Sequence, residues 1–565
     1  MKTDLDIAHS IALRPIRDIA AAIGIEDQEL EPYGHYKAKI NLSILNRLTE
    51  KNNGKYVVVT AITPTPLGEG KTLTTIGLSL GLNRAGSRAI ACIRQPSLGP
   101  VFGIKGGAAG GGYSQVLPME DVNLHLTGDA HAVGVAHNLC AAFLPNPISK
   151  NNPPRIDPQR VTWRRVIGVS DRFLRDVVIG LGGEDNGFLR QTGFDIIEAS
   201  EVMAILALAD GIPDLRKRLG RIFLGTTYDG KPVTPDDIAV GGAMAALLKD
   251  AIKPNLLQTT EGTACFVHTG PFGNIAHGNS SLLADKIARK LADFTVTESG
   301  FGADCGFEKF MDIKCRAGGM LPDCAVLVCS VRALKMHSGR FSVVAGRPLD
   351  PGLLAENLAA VSEGAANLEK QIENVRCFGV PVVVAINRFS TDTDAEINSV
   401  RERALACGAA AAAVCTAHAE GGRGAEQLAE AVRQTCTQNN CSPQLLYPPE
   451  MPLKEKIIRI AQTIYGADGV DFHPVAENKL KQYTDLGYGT LPICMAKTHL
   501  SLSHDPALKG KPRNFTLPVM DVRLSAGAGF VYPLCGKMRT MPGLPSVPCG
   551  SAIDITDDGS ITGLS

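Results

Sequence analysis

The sequence predicts an α/β protein built on a doubly wound, mostly parallel β-sheet, and three observations carry that prediction. Short, continuous runs of apolar, mainly β-branched residues recur along the chain, as in strands buried on both faces of a sheet. Helical stretches lie between these runs, and such alternation is typical of an α/β core. A glycine-rich turn that ends in Gly70-Lys71-Thr72 joins the first run to a helical stretch.

Four runs are predicted as strands, at residues 56–62, 88–93, 325–331 and 380–386. The predicted helices between them include 74–86 and 355–375. Residues 103–116 carry so many glycines that a loop or a kinked hairpin is expected, because glycine loses much backbone entropy in a regular helix or strand. The later segments are predicted as a linker over 434–452, an amphipathic helix over 453–466 and short strands with glycine turns over 517–536.

The balance of charge limits the partners of this 565-residue chain, which has 57 Lys and Arg and 57 Asp and Glu residues. This balance excludes a global attraction to nucleic acid or to an anionic membrane, although a local basic cleft is still compatible with it. The fifteen cysteines include no C-x-x-C pair, which predicts buried thiols in a reducing cytoplasm. No signal peptide or membrane helix is indicated. We expect a cytoplasmic protein with small-molecule substrates.

The turn before the first predicted helix has the features of a phosphate-binding loop. Backbone N–H groups and a helix N-terminus would face the phosphates, Lys71 would reach their β/γ oxygens, and the Thr72 hydroxyl would ligate Mg²⁺. Thr65 stands where the usual pattern has its first glycine, so Gly68 is expected to supply the backbone freedom. The alternative is a glycine-capped helix start with a surface lysine. The strand before and the helix after favour an ATP or GTP site.

Two further positions are candidates for polar roles. Arg94 follows the second predicted strand, at the edge where parallel sheets bind ligands, and its guanidinium can clamp a phosphate or a carboxylate. The alternative is a surface arginine. Residues 124–138 bring three histidines and Asp129 together, but their spacing does not match a zinc motif. Asp129 is a candidate for Mg²⁺ binding or another polar role, and a helix N-cap fits its spacing equally well.

Several segments together resemble the formate–tetrahydrofolate ligase family, also called 10-formyltetrahydrofolate synthetase. The most specific are "TPTPLGEGKT" (63–72), "GIKGGAAGGGY" (103–113) and "SVRALKMHSG" (330–339). The others lie at 31–40, 162–172, 191–205, 253–278, 298–310 and 541–548. The likeness runs from about residue 10 to the C-terminus.

The resemblance implies that ATP, formate and tetrahydrofolate give ADP, phosphate and 10-formyltetrahydrofolate, with formyl phosphate as the intermediate. It also implies Mg²⁺, stimulation by a monovalent cation such as K⁺, and a homotetramer. The implied fold is P-loop NTPase-like, with a nucleotide-binding domain at 1–370 and two smaller α/β domains at 371–495 and 496–565. A glycine-rich loop at 104–128 is expected to reach the C-terminal domain, and the second domain to contribute to the folate site.

The resemblance also implies roles for individual residues. Catalysis is assigned to Lys71, Arg94 and Asp129, and the metal ligand is Thr72. Nucleotide or folate contacts are assigned to Thr65, Pro66, Leu67, Gly68, Glu69, Gly70, Lys71, Thr72, Thr192, Phe301, Phe389 and His418. Asp129 and Thr192 are expected near the phosphates or the cation. The two phenylalanines are expected to present aromatic faces to flat rings, with ordinary core packing as the alternative for each.

Four positions depart from the pattern of the family. Gln95 stands where a glutamate is common, which puts in doubt a role for that acid in orienting Arg94. Ser338 replaces a glycine and Ser390 a proline. His418 stands where many relatives carry a tryptophan, so weaker stacking on the pterin and weaker folate affinity are expected.

Two alternatives to a ligase fit the same turn. One is a P-loop switch that controls a partner and needs no further substrate. Asn387 after a predicted strand resembles the asparagine of a guanine-binding loop, but the residues that follow it lack the lysine and aspartate of that loop. A degenerate relative without turnover is disfavoured by the intact Gly70, Lys71, Thr72 and Arg94.

Overall fold

A large mixed β-sheet forms the centre of the computed structural model, which describes residues 2–105, 109–150, 152–343, 349–438, 441–536 and 538–564. Its strands are β1 Leu30–Pro32, β2 Ala38–Ile40, β3 Lys55–Ala61, β4 Ala89–Ile93, β5 Gly110–Gly111, β6 Ser114–Leu117, β7 Asn255–Thr259, β8 Ala264–Val267, β9 Phe294–Glu298, β10 Cys324–Cys329, β11 Val382–Asn387 and β12 Ala411–Cys415. The strand order is β1-β2-β7-β8-β4-β9-β3-β10-β11-β12, and β6 pairs with both β7 and β5.

Seven neighbouring strands, from β8 to β12 in that order, run parallel, and the antiparallel pairs lie at the β1 side of the sheet. The four predicted runs coincide with β3, β4, β10 and β11. The prediction of an α/β protein with a mostly parallel sheet is therefore confirmed.

Helices flank the sheet. The longer ones are α1 Ile16–Ala22, α2 Lys71–Arg84, α3 Asp129–Phe143, α4 Glu201–Leu208, α5 Ile212–Gly220, α6 Gly241–Leu247, α7 Leu282–Leu291, α8 Val331–His337, α9 Leu358–Arg376, α10 Asp394–Ala406, α11 Glu426–Thr437, α12 Leu453–Ile460 and α13 Pro474–Tyr483. Shorter ones include Asp4–His9, Ile44–Arg47, Met119–Asn123, Pro145–Lys150, Pro351–Leu354 and Ala417–Glu420. None of the helices in the described ranges is long and apolar enough to cross a membrane.

Burial on both faces explains the continuous apolar runs. Along β3, Val57 and Val59 pack in one cluster with α2 and α11, whereas Tyr56 and Val58 pack in a second cluster with α9. Successive side chains of a strand point to opposite faces, so a sheet covered on both sides needs an apolar residue at every position. Because the strands are buried, the chain meets solvent and ligands at their ends.

Small two-stranded sheets complete the fold. They pair Arg165–Ile167 with Phe194–Ile196, Val177–Ile179 with Arg190–Thr192, Gly225–Thr226 with Pro232–Val233, Gly469–Phe472 with Thr516–Val519, Asp521–Ser525 with Phe530–Leu534, and Asp554–Ile555 with Ile561–Thr562. Residues 103–116 were expected to form a loop or a kinked hairpin, and β5 and β6 form an antiparallel hairpin there, with residues 106–108 outside the described ranges.

The predicted division into three domains stays a prediction. Its first boundary, between residues 370 and 371, falls inside α9, and β11 and β12 beyond it are hydrogen-bonded into the central sheet. Just before the glycine-rich segment, Phe102 lies against Gly550 near the C-terminus, where an added Cβ would be 3.0 Å from the phenylalanine ring.

Candidate active site

The turn between β3 and α2 has the backbone geometry of an anion-binding site. Gly68 has φ +74° and Gly70 has φ +77°, both in the left-handed region that favours glycine. A Cβ on Gly70 would also lie only 2.5 Å from the Asn387 side-chain nitrogen. The expectation that Gly68 supplies the missing freedom is confirmed. The turn leads into the N-terminus of α2, where the helix dipole favours negative charge.

A buried glutamate, Glu69, binds Thr65, the residue that replaces the first glycine of the usual pattern. Glu69 Oε1 accepts hydrogen bonds from Thr65 N at 2.8 Å and from Thr65 Oγ1 at 2.9 Å. Ser330 Oγ donates to Glu69 Oε2 at 3.3 Å, and Asn387 Nδ2 donates to the Glu69 carbonyl at 3.2 Å. Burial raises the pKa of the Glu69 carboxyl above its usual value. Thr65, which replaces the first glycine of the usual pattern, therefore stabilises the turn through its hydrogen bonds to Glu69.

A second buried glutamate, Glu298, joins the turn to Arg94. Thr72 Oγ1 donates to Glu298 Oε2 at 2.7 Å, and Arg94 Nε lies 3.3 Å from Glu298 Oε1. The sheet order explains this meeting, because β9 ends at Glu298 between β3 and β4. The carboxyl ends of three parallel strands thus bring the loop threonine, the carboxylate and the guanidinium together.

Sequence reasoning missed Glu298, although it lies in one of the segments that carry the family resemblance. The available signal was an acidic residue directly after "FTVT", at the carboxyl end of a strand. The doubt raised by Gln95 concerned an acid that orients Arg94. In the structure, the acid that contacts Arg94 is Glu298 of β9. The backbone N–H of Gln95 donates to the Thr269 carbonyl at 2.7 Å.

Gly300 makes room for the Arg94 guanidinium. A Cβ on Gly300 would lie 3.2 Å from Arg94 Nη1, and Gly300 N donates to the Gly278 carbonyl at 3.0 Å. The Arg94 side chain keeps 28% of its surface exposed, so one side of it is open to a ligand.

The two phenylalanines assigned to the nucleotide or folate pocket each pack against the side chain of a neighbouring residue. Phe301 has φ +59°, an unusual conformation for a bulky residue, and its ring stacks on His499 with centroids 4.3 Å apart. The Phe389 ring lies under the Arg332 guanidinium, with 3.4 Å between Cζ and the ring centroid. Asp392 Oδ2 accepts from Phe389 N at 2.8 Å and so anchors the loop after β11.

Asp129 belongs to a different cluster. Its carboxylate is buried and accepts from Lys39 Nζ at 2.7 Å and from Asn255 Nδ2 at 2.8 Å. The N-cap of α3 is Gly128, and Asp129 is the first helical residue, so the alternative interpretation as an N-cap is wrong. The catalytic assignment of Asp129 stays a prediction.

Thr192 and His418 also lie outside the cluster formed by Thr72, Glu298 and Arg94. Thr192 ends the strand Arg190–Thr192 and pairs with Val177. His418 lies in the short helix after β12 with an exposed side chain, and its carbonyl accepts from Tyr113 N at 2.9 Å. The roles assigned to both stay predictions.

The fold and the site define an α/β protein with a glycine turn and a helix N-terminus at the carboxyl edge of a parallel sheet, next to a carboxylate–arginine pair. Among the described residues, no group of three or more His, Cys, Asp or Glu side chains is arranged to hold a metal ion.

Comparison with known proteins then gives the family. The model of the family "Formate--tetrahydrofolate ligase" matches residues 2–565. Proteins with that name from Desulforamulus reducens and Roseiflexus castenholzii are each 58% identical, and one from Saccharopolyspora erythraea is 57% identical. Each alignment covers 100% of this chain and at least 99% of the relative. The chain belongs to the formate–tetrahydrofolate ligase family, a family of ligase enzymes.

Proposed function

We propose that the protein joins formate to tetrahydrofolate at the expense of ATP, giving 10-formyltetrahydrofolate, ADP and phosphate through formyl phosphate. The observation that carries the proposal is the Thr72–Glu298–Arg94 cluster beside the glycine turn. It combines a site for a polyphosphate with a guanidinium that can hold a second, smaller anion next to it.

The fold around the turn supports a P-loop NTPase-like ATP site. A buried strand, a turn with two left-handed glycines and a fourteen-residue helix follow each other in the order that such sites require. In this proposal the turn amides and the Lys71 ammonium hold the phosphates. Phe301, stacked on His499, offers a flat surface for a ring of the nucleotide, and Phe389 and His418 contribute to the folate site.

The oxygen atoms at the turn fit Mg²⁺. The Thr72 hydroxyl and the Glu298 carboxylate are 2.7 Å apart, and both are the hard oxygen ligands that this cation prefers. When bound with the nucleotide, the ion would neutralise phosphate charge. Asp129 does not fit a monovalent cation such as K⁺, because its oxygens already bind the Lys39 ammonium and Asn255.

The proposed chemistry has two transfers, and the chain mainly positions and neutralises charge. A formate oxygen attacks the γ-phosphorus of ATP and ADP leaves, a step that Lys71 and Arg94 assist by holding the phosphoryl oxygens. The N10 amine then attacks the formyl carbon, phosphate leaves and the amine loses a proton. Arg94, held by Glu298, keeps the formyl phosphate in place for this attack.

The test is to measure ADP release with ATP alone, with added formate, and with formate plus tetrahydrofolate, together with direct detection of 10-formyltetrahydrofolate. A ligase needs both co-substrates, and Lys71→Ala should remove most of the activity. Arg433→Ala, on the outer helix α11, serves as a control that keeps it. ADP release that ignores formate and tetrahydrofolate would support the P-loop switch instead.

We also propose a cytoplasmic homotetramer. All fifteen cysteines are free thiols, as in a reducing compartment. The hairpin around Val177–Ile179 and Arg190–Thr192 exposes large apolar side chains, namely Phe173, Val178, Leu181, Phe188 and Leu189. Such a patch is typical of a protein–protein interface. Light scattering should give the mass of a tetramer, and Phe188→Asp should lower it.

A further inference from the structure

A cavity of about 620 Å³ lies between residues 160–226 and the C-terminal ribbon, which is the antiparallel pair Asp521–Ser525 and Phe530–Leu534. Small-molecule sites occupy about 300–1,000 Å³. The described residues that line it do not include residues 62–72, Arg94 or Glu298. The cavity is therefore separate from the candidate active site.

One face of the ribbon forms the first wall. Alternate residues of a strand share a face, and Asp521, Arg523, Ser525, Phe530 and Tyr532 all line the cavity. The register sets Arg523 opposite Tyr532 and Ser525 opposite Phe530. The wall thus presents a guanidinium beside two aromatic rings.

The opposite wall carries the only tryptophan of the chain. The Trp163 indole stacks on the His137 imidazole, with centroids 4.0 Å apart and planes 16° apart. Phe223 and Tyr483 also line the cavity and are largely buried. Five of the 23 lining residues are Phe, Trp or Tyr, in a chain that is 5% aromatic, so the cavity is suited to a flat ring.

The charges of the lining favour an anion. Its cations are Arg160, Arg164, Lys479 and Arg523, and its acids are Asp195, Glu201 and Asp521. Asp195 pairs with Arg164 at 3.4 Å and Asp521 with Lys479 at 2.6 Å. Glu201 accepts from the backbone N–H groups of Gly527 and Ala528, and burial raises its pKa to about 7. Arg160 pairs with Asp157, outside the lining, at 3.2 Å, so the excess of positive charge at neutral pH is carried by Arg523.

Two lining residues have buried polar atoms without a hydrogen-bond partner among the described residues, His137 Nδ1 and Thr226 Oγ1. Burial lowers the pKa of His137 to about 4, so its ring is neutral. Its Nε2 lies 3.0 Å from the Arg164 carbonyl and must donate there, which leaves Nδ1 as an acceptor. Both atoms are buried, so neither presents a hydrogen-bonding group to the cavity.

We propose that this cavity binds an anion that carries a flat ring system, at a site separate from the phosphate turn. The rings would lie against Trp163 and Tyr532, and the anionic group would meet Arg523 and Lys479. Nucleotides and pterins with carboxylate tails share this chemistry. The proposal does not rest on the proposed ligase activity.

Trp163 makes the proposal directly testable, because its fluorescence lifetime reports on this cavity and is insensitive to ligand absorption. The lifetime is measured in the Lys71→Ala protein, so that binding at the phosphate turn is suppressed. ATP and folic acid are titrated as the two ring-bearing anions, with tripolyphosphate and adenosine as probes that each lack one of the two features. We expect at least one of the first pair to change the lifetime with saturation, and the last two to bind at least about tenfold more weakly.

Arg523→Ala should weaken the response about tenfold or more, since it removes a charge-assisted contact, while Arg433→Ala should leave it unchanged. Lys479→Ala, at the rim, is the second test should Arg523→Ala fail to fold. A response to ATP alone assigns the site to nucleotides, and a response to folic acid alone assigns it to pterins. The proposal is overturned if neither ligand changes the lifetime at millimolar concentration. It is equally overturned if both cavity variants that fold bind as tightly as their parent.

Discussion

Glu298→Gln is the most informative single change, because Glu298 bonds to both the phosphate turn and Arg94. The amide keeps the size of the side chain but removes the charge that faces the Arg94 guanidinium at 3.3 Å. Glu298 is 4% exposed, so solvent screens this interaction little. A hydrogen bond to a charged group contributes about 1.5–3 kcal/mol.

That energy corresponds to roughly a 10- to 150-fold loss of kcat/KM for formate, if Arg94 needs this contact to hold the reacting anion. The KM for ATP should rise less, because Thr72 still has an oxygen acceptor in the amide. The assay is the initial rate of ADP release at varied formate, with the other substrates saturating. The Tm is measured in parallel to separate a local effect from loss of folding.

Glu29→Gln is the matched control. Glu29 is also buried and pairs with an arginine, Arg47, at 2.7 Å, but it lies directly before β1 at the edge of the sheet. It should lower the Tm without changing kcat/KM. If folded Glu298→Gln keeps kcat/KM for formate within twofold of the parent, the assigned role of the carboxylate–arginine pair is wrong.

Three further changes test other parts of the structure. Gly70→Ala should raise the KM for ATP and lower the Tm, because it places a Cβ at positive φ and 2.5 Å from Asn387, a strain of about 1–2 kcal/mol or more. Calorimetry and a steady-state titration of ATP check this result. Adding Asn387→Ala should relieve the clash but leave the strain of the positive φ. His418→Trp should lower the KM for tetrahydrofolate, and an unchanged value would contradict the stacking account. Burial raises the pKa of Glu201 to about 7, so between about pH 4.5 and 7 this residue binds more protons in the folded state than in the unfolded state. Its contribution to stability therefore falls as pH rises through that window. Glu201→Gln should flatten this part of the plot of Tm against pH, and an identical slope would refute the raised pKa of Glu201.

Local patterns were sufficient for β3, β4, β10 and β11, because a strand covered on both faces must be apolar at every position. They were also sufficient for the turn, since only glycine adopts left-handed torsions without strain at residues 68 and 70. The strand β9 was not predicted, because Thr295 and Thr297 interrupt its apolar character, although both are fully buried.

By itself, the sequence determined the fold class and the phosphate turn, and its segments carried the likeness to the family that the comparisons show. Only the tertiary structure decided the partners of that turn. Glu298 lies 226 residues from Thr72 and 204 from Arg94, and the order of strands β3, β9 and β4 joins them. The cavity likewise joins Trp163 to Arg523. Contacts over such separations depend on how the whole sheet and its covering segments pack, which no local pattern of residues encodes.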